Sequence, residues 1–430
     1  MKIALLVLVV FVGVAHGAFC HGKPDPAAVP NDNPINMMPP VFDRQTKNGK
    51  AFIAGTPGNE MWIVHVYGTA YEMGYAHGSM FVEEAREMVN RTWSYFEEQV
   101  EEALNGIPNW LKDDVANFGL DVALDLTVEL TKPFTGQYFF DELRGIADAA
   151  GVDYQQILRI HMIGELTKGD CSMYGAWGKA TASTGKTMQL RALDWDVNGP
   201  FKDFPAVVVY HPSDNGHAFA NLGFIGWIGT LSGQSSKQLA VSEIGVSFPD
   251  ASFGNESREG IPFTFLLRDI LQFDDSYLDS VKRITTANRT CDLILGVGDG
   301  EAEAFRGFEY SYSTANVISD TNLAPVNATW HAPIENVVYW GMDWLCPGYN
   351  LVLHDRLTKY YGNITAENTI HGIVPVVQTG NVHIAVYDLT DEVMYVSVAM
   401  RSNGTGKPYA YDREFTGLKL KDLFAEPAPT

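Results

Sequence analysis

The chain is poor in the residues and motifs that mark several common protein classes. Only four of its 430 residues are cysteine, too few for a disulfide-based scaffold at this length. It contains no Cys-x-x-Cys pair and no His-Glu-x-x-His motif, so the sequence predicts no zinc site. A Gly-x-Ser-x-Gly elbow is also missing, which argues against a serine esterase of that type.

Basic side chains are scarce as well. The chain has 30 Lys and Arg against 52 Asp and Glu, a formal net charge of −22. This balance argues against nucleic acid as a partner, because binding phosphates requires a basic face. Beyond the amino terminus no stretch reaches 18 consecutive apolar residues, so no transmembrane segment is predicted. The 46% of hydrophobic residues is enough for a sizeable core.

The first 17 residues have the pattern of a secretory signal peptide. Lys2 supplies the positive start, an apolar run follows from Ile3 to Ala15, and small residues stand where a signal peptidase cuts. Several Asn-x-Ser/Thr sequons follow, as in glycosylated proteins. They start at Asn90, Asn255, Asn288, Asn327, Asn363 and Asn403. We therefore expect a secreted or lysosomal protein whose mature chain starts near Ala18.

The rest of the sequence changes from helical to strand-like character near residue 170. The Pro-, Asn- and Asp-rich stretch 22–50 predicts an extended surface arm. Between Thr69 and about Leu166, apolar residues recur at helical spacing. Short apolar runs bounded by turn residues follow, and Val382–Tyr387 with Val393–Met400 predicts a hairpin. The order predicts an α+β fold, mostly helical in its N-terminal part, with antiparallel sheets covered by helices.

One segment carries residue types suited to nucleophilic chemistry. Gly169-Asp170-Cys171-Ser172 stands where the helical sequence gives way to strands, and Arg191 and Asp194 follow as an Arg-x-x-Asp pair. A lone cysteine is more often a buried core thiol than a nucleophile. Position alone therefore leaves both interpretations of Cys171 open.

Several further motifs accompany this segment in order along the chain. They are Gly68–Gly78, Glu142–Val152, Glu165-Leu166, Thr321-Asn322 and His354-Asp355-Arg356. Together with the Cys-Ser start and the Arg-x-x-Asp pair, they resemble N-terminal nucleophile hydrolases that use a cysteine. The acid ceramidase and acyl-CoA:6-aminopenicillanic acid acyltransferase families are the most similar, and the resemblance spans most of the mature chain.

The resemblance implies a four-layer αββα sandwich whose precursor cuts itself between Asp170 and Cys171. Residues 18–170 then form a mostly helical α-chain, and residues 171–430 form the sheet-rich catalytic β-chain. The new α-amino group of Cys171 acts as the general base for its thiol. Such an amine titrates near ~7.7–8.0, so it accepts a thiol proton near neutrality without help from a histidine.

The resemblance also assigns the remaining catalytic roles. Arg191 is expected to orient the substrate carbonyl or Asp194, and Asp194 to hold and tune the α-amino group. The side chain of Asn322 is expected to donate to the oxyanion, and Arg356 to close the same cavity. From the residues alone, Asp194 also fits a strand-end ion pair, and Arg356 also fits a salt bridge on a helix surface.

The activity that follows is hydrolysis of a linear amide through a Cys171 thioester, with no metal or organic cofactor. The resemblance favours an N-acyl lipid of the ceramide or N-acylethanolamine kind, and an inactive precursor. Alternatives are acyl transfer, deacylation of a peptide-like amide, phospholipase B-like deacylation, and a non-catalytic secreted binding protein. The aromatic residues Phe219, Phe224 and Trp227 fit either an acyl pocket or plain core.

Three cysteines remain once Cys171 is taken as the reactive thiol, so they form at most one bridge. We expect this disulfide between Cys291 and Cys346. A bridge from either of them to Cys20, which would tie the arm to the second chain, is the alternative.

Overall fold

The structure is a computed structural model that describes residues 25–103, 119–165, 169–182, 185–214, 216–246 and 249–430. The predicted signal peptide at 1–17, the expected mature start at Ala18 and Cys20 lie outside the described residues.

The strands and helices of the described residues follow in chain order. The strands are β1 Val41–Thr46, β2 Gly49–Ala54, β3 Met61–Gly68, β4 Asp170–Ala176, β5 Met188–Asp194, β6 Pro205–Pro212, β7 Phe219–Phe224, β8 Ser232–Ser235, β9 Leu239–Gly245, β10 Leu293–Asp299, β11 Ala304–Tyr310, β12 Ala315–Ile318, β13 Val337–Trp340, β14 His383–Asp388, β15 Val393–Val398 and β16 Thr416–Lys419. The α-helices are α1 Ala70–Met80, α2 Val82–Ala103, α3 Leu120–Thr131, α4 Gln137–Ala150, α5 Tyr154–Met162, α6 Phe263–Phe273, α7 Tyr277–Thr286, α8 Pro347–Lys359, α9 Ala366–Asn368, α10 Val374–Val377 and α11 Leu420–Phe424. Short 3₁₀ turns lie at Lys132–Phe134, Ile163–Glu165, Gly178–Ala180, Phe201–Asp203 and Ala410–Asp412, and Thr369–Ile373 forms a π-helical turn.

The strands form two sheets. One has the order β1-β2-β3-β6-β7-β8-β9-β10-β11-β12 and the other the order β13-β4-β5-β14-β15-β16. Helices pack on both, with α1, α6 and α7 on the larger sheet and α8 on the smaller one. The predicted α+β class is confirmed. The expectation of purely antiparallel sheets is wrong at one place, because β3 and β6 pair in parallel. A long crossover joins them, as parallel strands require.

The two sheets face each other, and glycine permits the close approach. A Cβ atom on Gly175 of β4 would lie 2.0 Å from the Phe305 ring of β11. One on Gly307 of β11 would lie 2.3 Å from the Trp340 ring of β13. Any side chain at either position would therefore force the sheets apart. The residues between the sheets are largely apolar and buried, so the charged groups found there need partners.

The predicted helical region before residue 166 is confirmed for its described part. Thr69 and Glu72 form a capping box at the start of α1. Gly151 ends α4 in a left-handed conformation with φ of 66°. The Asp153 side chain then accepts the Gln156 N–H at 2.8 Å and begins α5.

The prediction of an extended arm over residues 22–50 is wrong in its second half. Residues 41–54 form the β1–β2 hairpin, and β1 is an edge strand of the larger sheet. The two residues of the hairpin turn are Lys47 and Asn48, and Asn48 adopts a φ of 64°, a left-handed conformation that asparagine tolerates. The part near Asn36 does run as an arm, and it forms a bridge with Thr416 of β16.

The predicted Cys291–Cys346 disulfide is wrong. Cys291 carries a thiol, whereas Cys346 belongs to a disulfide. The Cys291 thiol lies just before β10 and donates a hydrogen bond to the buried Glu165 carboxylate. Its partner in the core is therefore a carboxylate and not a second sulfur. Cys20, the partner named in the alternative, lies outside the described residues.

The described part of the chain contains no helix that combines the length and apolarity needed to cross a membrane. It also contains no cluster of three or more His, Cys, Asp or Glu side chains arranged to hold a metal ion. All the predicted sequon asparagines except the half-buried Asn327 are exposed.

Candidate active site

Cys171 is the second residue of β4, and its strand lies between β13 and β5. It pairs with Leu193, while Asp170 pairs with Asp194. Only 1% of Cys171 is exposed. Burial raises the pKa of its thiol well above the usual range, an effect that positive Arg191 opposes. In the uncut chain the thiol is therefore protonated at neutral pH and needs a base before it can act as a nucleophile.

Asp194 ends β5 directly across from the Asp170–Cys171 peptide bond. Its Oδ2 accepts the Thr379 hydroxyl at 2.6 Å and the Gly380 N–H at 2.8 Å, and its Oδ1 accepts the Asn381 N–H at 3.0 Å. A hydroxyl and two backbone amides hold the carboxylate, and the strand-end ion pair considered as an alternative is not formed with any of the described residues. This placement is compatible with holding an α-amino group on Cys171.

The carboxyl groups of Asp170 and Asp194 are thus both close to the predicted scission point, one on β4 and the other on the neighbouring strand β5. Burial raises the pKa of Asp194 to about 7, although its hydrogen bonds favour the ionised form, and the charge of Asp170 adds to the rise. Asp170 as a whole residue is exposed, but the loss of solvent around its carboxyl group raises the pKa of that group to about 6. An ammonium group formed at Cys171 would favour the ionised form of both.

Arg191 is fully buried and joins the two sheets through an ion pair with Glu243 of β9. The expectation that it contacts Asp194 finds no support, because its carboxylate partner is Glu243. Its Nε and Nη1 atoms have no hydrogen-bond partner among the described residues. Two buried donor nitrogens near the thiol are thus left to bind an acceptor, and a substrate carbonyl is one.

The turn before β14 contacts Asp194 and also Ser172, the residue after the nucleophile. The Thr379 Oγ1 lies 2.7 Å from the Ser172 Oγ, and the Ser172 Oγ accepts the Met342 N–H at 3.1 Å. Gly380 adopts a φ of 86°, a conformation that favours glycine and that aims its N–H at Asp194. Thr379 is therefore the link that fixes both Asp194 and Ser172.

Replacing Thr379 by valine is expected to lower kcat by about 10- to 100-fold, because Asp194 loses one of its donors without a change in volume. That hydrogen bond lowers the pKa of Asp194, so its loss raises this pKa and moves the acid limb of the pH–rate profile upward. Thr379→Ser keeps the hydroxyl and is the matched control. An unchanged kcat and acid limb in Thr379→Val would contradict this role.

Asn322 forms its hydrogen bonds within its own turn. It is exposed and follows β12, the edge strand of the larger sheet. Its Nδ2 donates to the Val317 carbonyl at 2.9 Å, and its Oδ1 accepts the Ser319 N–H at 2.6 Å. None of these bonds connects it to Cys171, so its oxyanion role stays a prediction.

Arg356 lies near the end of α8, the helix that packs on β13. Its Nε is buried and makes no hydrogen bond with the described residues. Among these residues no carboxylate pairs with its guanidinium, so the helix salt bridge considered as an alternative is not formed there. The predicted role of Arg356 beside Cys171 stays a prediction.

A mostly apolar cavity opens on Cys171. Its aromatic walls come from both sides of the predicted scission point: Phe96, Trp195, Phe201, Phe224, Trp227 and Phe263. Phe224 and Trp227 are confirmed as cavity residues, whereas Phe219 stacks on Tyr210 at 4.5 Å. A larger polar cavity of about 660 Å³ beside α6 and α7 contains none of the predicted catalytic residues. The cavity on Cys171 is therefore the candidate substrate site.

Sequence reasoning missed two members of this site. Glu243 stands alone among the apolar residues of β9, and a lone charge in a buried strand requires a partner. That signal was available in the sequence, although it did not identify Arg191. Thr379 lies 185 residues after Asp194 and carried no signal of its own.

A scan against protein-family models found no match. The chain is 37% identical to the protein dcd1A of Dictyostelium discoideum over 415 residues, which cover 92% of each chain. It is 34% identical to dcd1B of the same organism over 417 residues, covering 92% of this chain and 81% of dcd1B. Among solved structures, a Caenorhabditis elegans N-acylethanolamine-hydrolyzing acid amidase ortholog matches 51% of this chain and 93% of its own, with a TM-score of 0.39 and 18% identity. A conjugated bile acid hydrolase of Clostridium perfringens matches 57% and 96%, with a TM-score of 0.34 and 12% identity.

Proposed function

This chain belongs to the family of the Dictyostelium discoideum proteins dcd1A and dcd1B, and from this premise we propose that it is a self-processing cysteine amidohydrolase. In the proposal, it is an N-terminal nucleophile hydrolase with a four-layer αββα sandwich. Cleavage between Asp170 and Cys171 divides it into an α-chain, 18–170, and a β-chain that begins with the nucleophile, 171–430.

The self-cleavage requires only the chain and water. The Cys171 sulfur adds to the carbonyl carbon of Asp170, the C–N bond breaks, and the leaving nitrogen takes up the thiol proton. Water then hydrolyses the resulting thioester, which leaves a carboxylate on Asp170 and a free thiol and amine on Cys171. In the proposal the precursor is inactive towards other amides, because the thiol of the uncut chain is buried and protonated.

In the cut protein the α-amino group takes the thiol proton, and the sulfur attacks the substrate carbonyl. The amine product leaves with a proton, and water releases the acid from the thioester. Asp194 holds the amine, and the two unpartnered nitrogens of Arg191 lie near the sulfur. An amine that titrates near ~7.7–8.0 accepts and returns this proton near neutrality.

One observation carries the proposal: the Asp170–Cys171 bond runs beside a firmly held carboxylate, at the mouth of an aromatic cavity. A plain core thiol has no need of this arrangement. The carboxylate supplies an anchor for the new amino terminus, and the cavity supplies room for an acyl group next to the nucleophile.

We assign the substrate to N-acyl lipids of the ceramide or N-acylethanolamine kind. The apolar, aromatic cavity supports an acyl chain rather than a charged group, because burying a charge there would be costly. The exposed sequons and the predicted signal peptide support a secreted or lysosomal protein. In the proposal, the lipid is therefore deacylated outside the cell or in the lysosome.

The test is a panel of amides and esters assayed at acid and at neutral pH. The panel contains ceramides, N-acylethanolamines, a penicillin-type amide and a phospholipid, each with and without an added amine acceptor. We expect free fatty acid from the N-acyl lipids. Release from the phospholipid alone would indicate a phospholipase B-like enzyme, and acyl transfer to the amine would indicate an acyltransferase. No turnover of any compound would contradict the proposal.

A further inference from the structure

The segment between β7 and β8, residues 225–231, carries Trp227 into the wall of the Cys171 cavity. We propose that His77 and His161 are positioning residues that hold this segment and thereby set which acyl groups the enzyme accepts. The inference rests on the proposed function, because the ligand it concerns is the acyl group delivered to Cys171.

Both histidines hold the segment in the same way. The Nε2 of His77, on α1, accepts the Gly226 N–H at 3.0 Å. The Nε2 of His161, on α5, accepts the Ile228 N–H at 3.0 Å. Each histidine is 1% exposed, so water does not replace either acceptor. The two backbone amides on either side of Trp227 are thus held by two different helices.

The tautomer of His161 is fixed by its second contact. Its Nδ1 lies 2.7 Å from the Ile157 carbonyl, an acceptor, so Nδ1 carries the proton and Nε2 presents its lone pair. The imidazole also stacks on the Trp227 indole, with ring centres 4.6 Å apart and planes 16° from parallel. His161 therefore fixes both the backbone and the side chain of this wall.

A third contact comes from the other side of the proposed cleavage point. The Nη1 of Arg268, on α6, donates to the Ile228 carbonyl at 3.2 Å, and its Nη2 pairs with the buried Glu142 of α4. After the proposed cleavage, His77, Glu142 and His161 belong to the α-chain, whereas Trp227 and Arg268 belong to the β-chain. The α-chain thus shapes the acyl site of the chain that carries the nucleophile.

Burial keeps both histidines neutral. Together with the positive charge of nearby Arg268 it lowers the pKa of each to about 4, although the hydrogen bond to the Ile157 carbonyl raises that of His161. Glu142 is paired with Arg268, and His161 is a further group that lowers the pKa of His77. Since the unfolded chain protonates these histidines near 6.5, stability is expected to fall as the pH falls from about 6.5 toward 4, where the acceptors are lost.

The experiment compares His161→Phe with His161→Gln and with a matched control, His211→Phe. Phenylalanine keeps the ring that stacks on Trp227 but removes the acceptor, whereas glutamine supplies an acceptor oxygen. His211 lies on β6 of the larger sheet, and its Nε2 forms a hydrogen bond with the His65 Nδ1 at 3.1 Å. It does not line the Cys171 cavity. The substrates are aminocoumarin amides with short, medium and long saturated acyl chains.

We expect His161→Phe to raise KM by roughly tenfold and to change the ratio of kcat/KM between long and short chains, with kcat within about threefold. His161→Gln should recover part of this loss, and His211→Phe should keep the wild-type ratio. If His161→Phe does not fold, His77→Phe, which removes the acceptor of the Gly226 N–H, takes its place. An unchanged ratio in folded, cleaved His161→Phe, or in the His77→Phe variant that replaces it, overturns the proposal.

A readout without turnover separates this inference from the proposed function. In protein labelled with ¹⁵N-tryptophan, the Trp227 indole signal is assigned by its loss in Trp227→Phe. A shift of this signal in the His161 variants, but not in His211→Phe, supports the positioning role even if the wild type hydrolyses no amide. An unmoved signal overturns it.

Discussion

Replacing Cys171 by alanine is expected to abolish turnover and self-cleavage together, with a fall in kcat of at least about 10⁴-fold. The reason is that a single sulfur performs both reactions, first on the Asp170 carbonyl and then on the substrate. Alanine fits the space left by the thiol, so the fold is retained. The measurements are initial rates on the best substrate of the panel and the chain sizes seen under denaturing conditions.

Cys291→Ser is the matched control for this change. Cys291 is the second buried thiol of the described residues, at 6% exposure, and serine keeps a donor for Glu165. We expect cleavage and rate within about twofold of the wild type. If Cys291→Ser lost both activities and Cys171→Ala retained them, the nucleophile would be Cys291 and not Cys171.

The second large effect is expected at the ion pair between the sheets. Arg191→Met leaves the Glu243 carboxylate buried without its partner, which costs about 3–5 kcal/mol in the free energy of unfolding. The Arg191→Met/Glu243→Leu double variant removes both charges and is expected to regain most of this stability. It should nevertheless remain uncut and inactive, because the positive charge that favours the Cys171 thiolate is gone.

Denaturant midpoints of the two single variants and the double variant measure the stability part of this prediction. The rate of thiol alkylation as a function of pH measures the electrostatic part, and the pKa of Cys171 should rise when Arg191 is removed. A double variant that is as stable as the wild type and fully active would show that the pair is only structural.

The predictable part of this molecule is the part encoded in local patterns. The helices between Thr69 and Leu166 were predictable from apolar residues at helical spacing, and the β14–β15 hairpin from two short apolar runs joined by turn residues. Cys171, Arg191 and Asp194 could be named because they are close in sequence and share one β-hairpin, β4–β5. Their roles came from a resemblance, and the structure supports the placement of Asp194 more directly than that of Asn322 or Arg356.

The remaining features depend on contacts between distant segments. Glu243 and Thr379 reach the site from other strands and turns, and nothing in their neighbours names the partner. The same holds for the cysteines, where spacing did not distinguish a bridge at Cys291 from one elsewhere. The parallel β3–β6 pair likewise depends on how the whole chain crosses over. Long-range pairing of this kind is decided by the packing of the two sheets, not by local propensity.

The most direct test of the central claim is the amino-terminal sequence of the catalytically active protein, read in the same preparation whose turnover is measured. We expect a second amino terminus that begins with Cys171-Ser172-Met173, with activity growing in proportion to its amount. A preparation that hydrolyses substrate while the Asp170–Cys171 bond is intact would contradict the account.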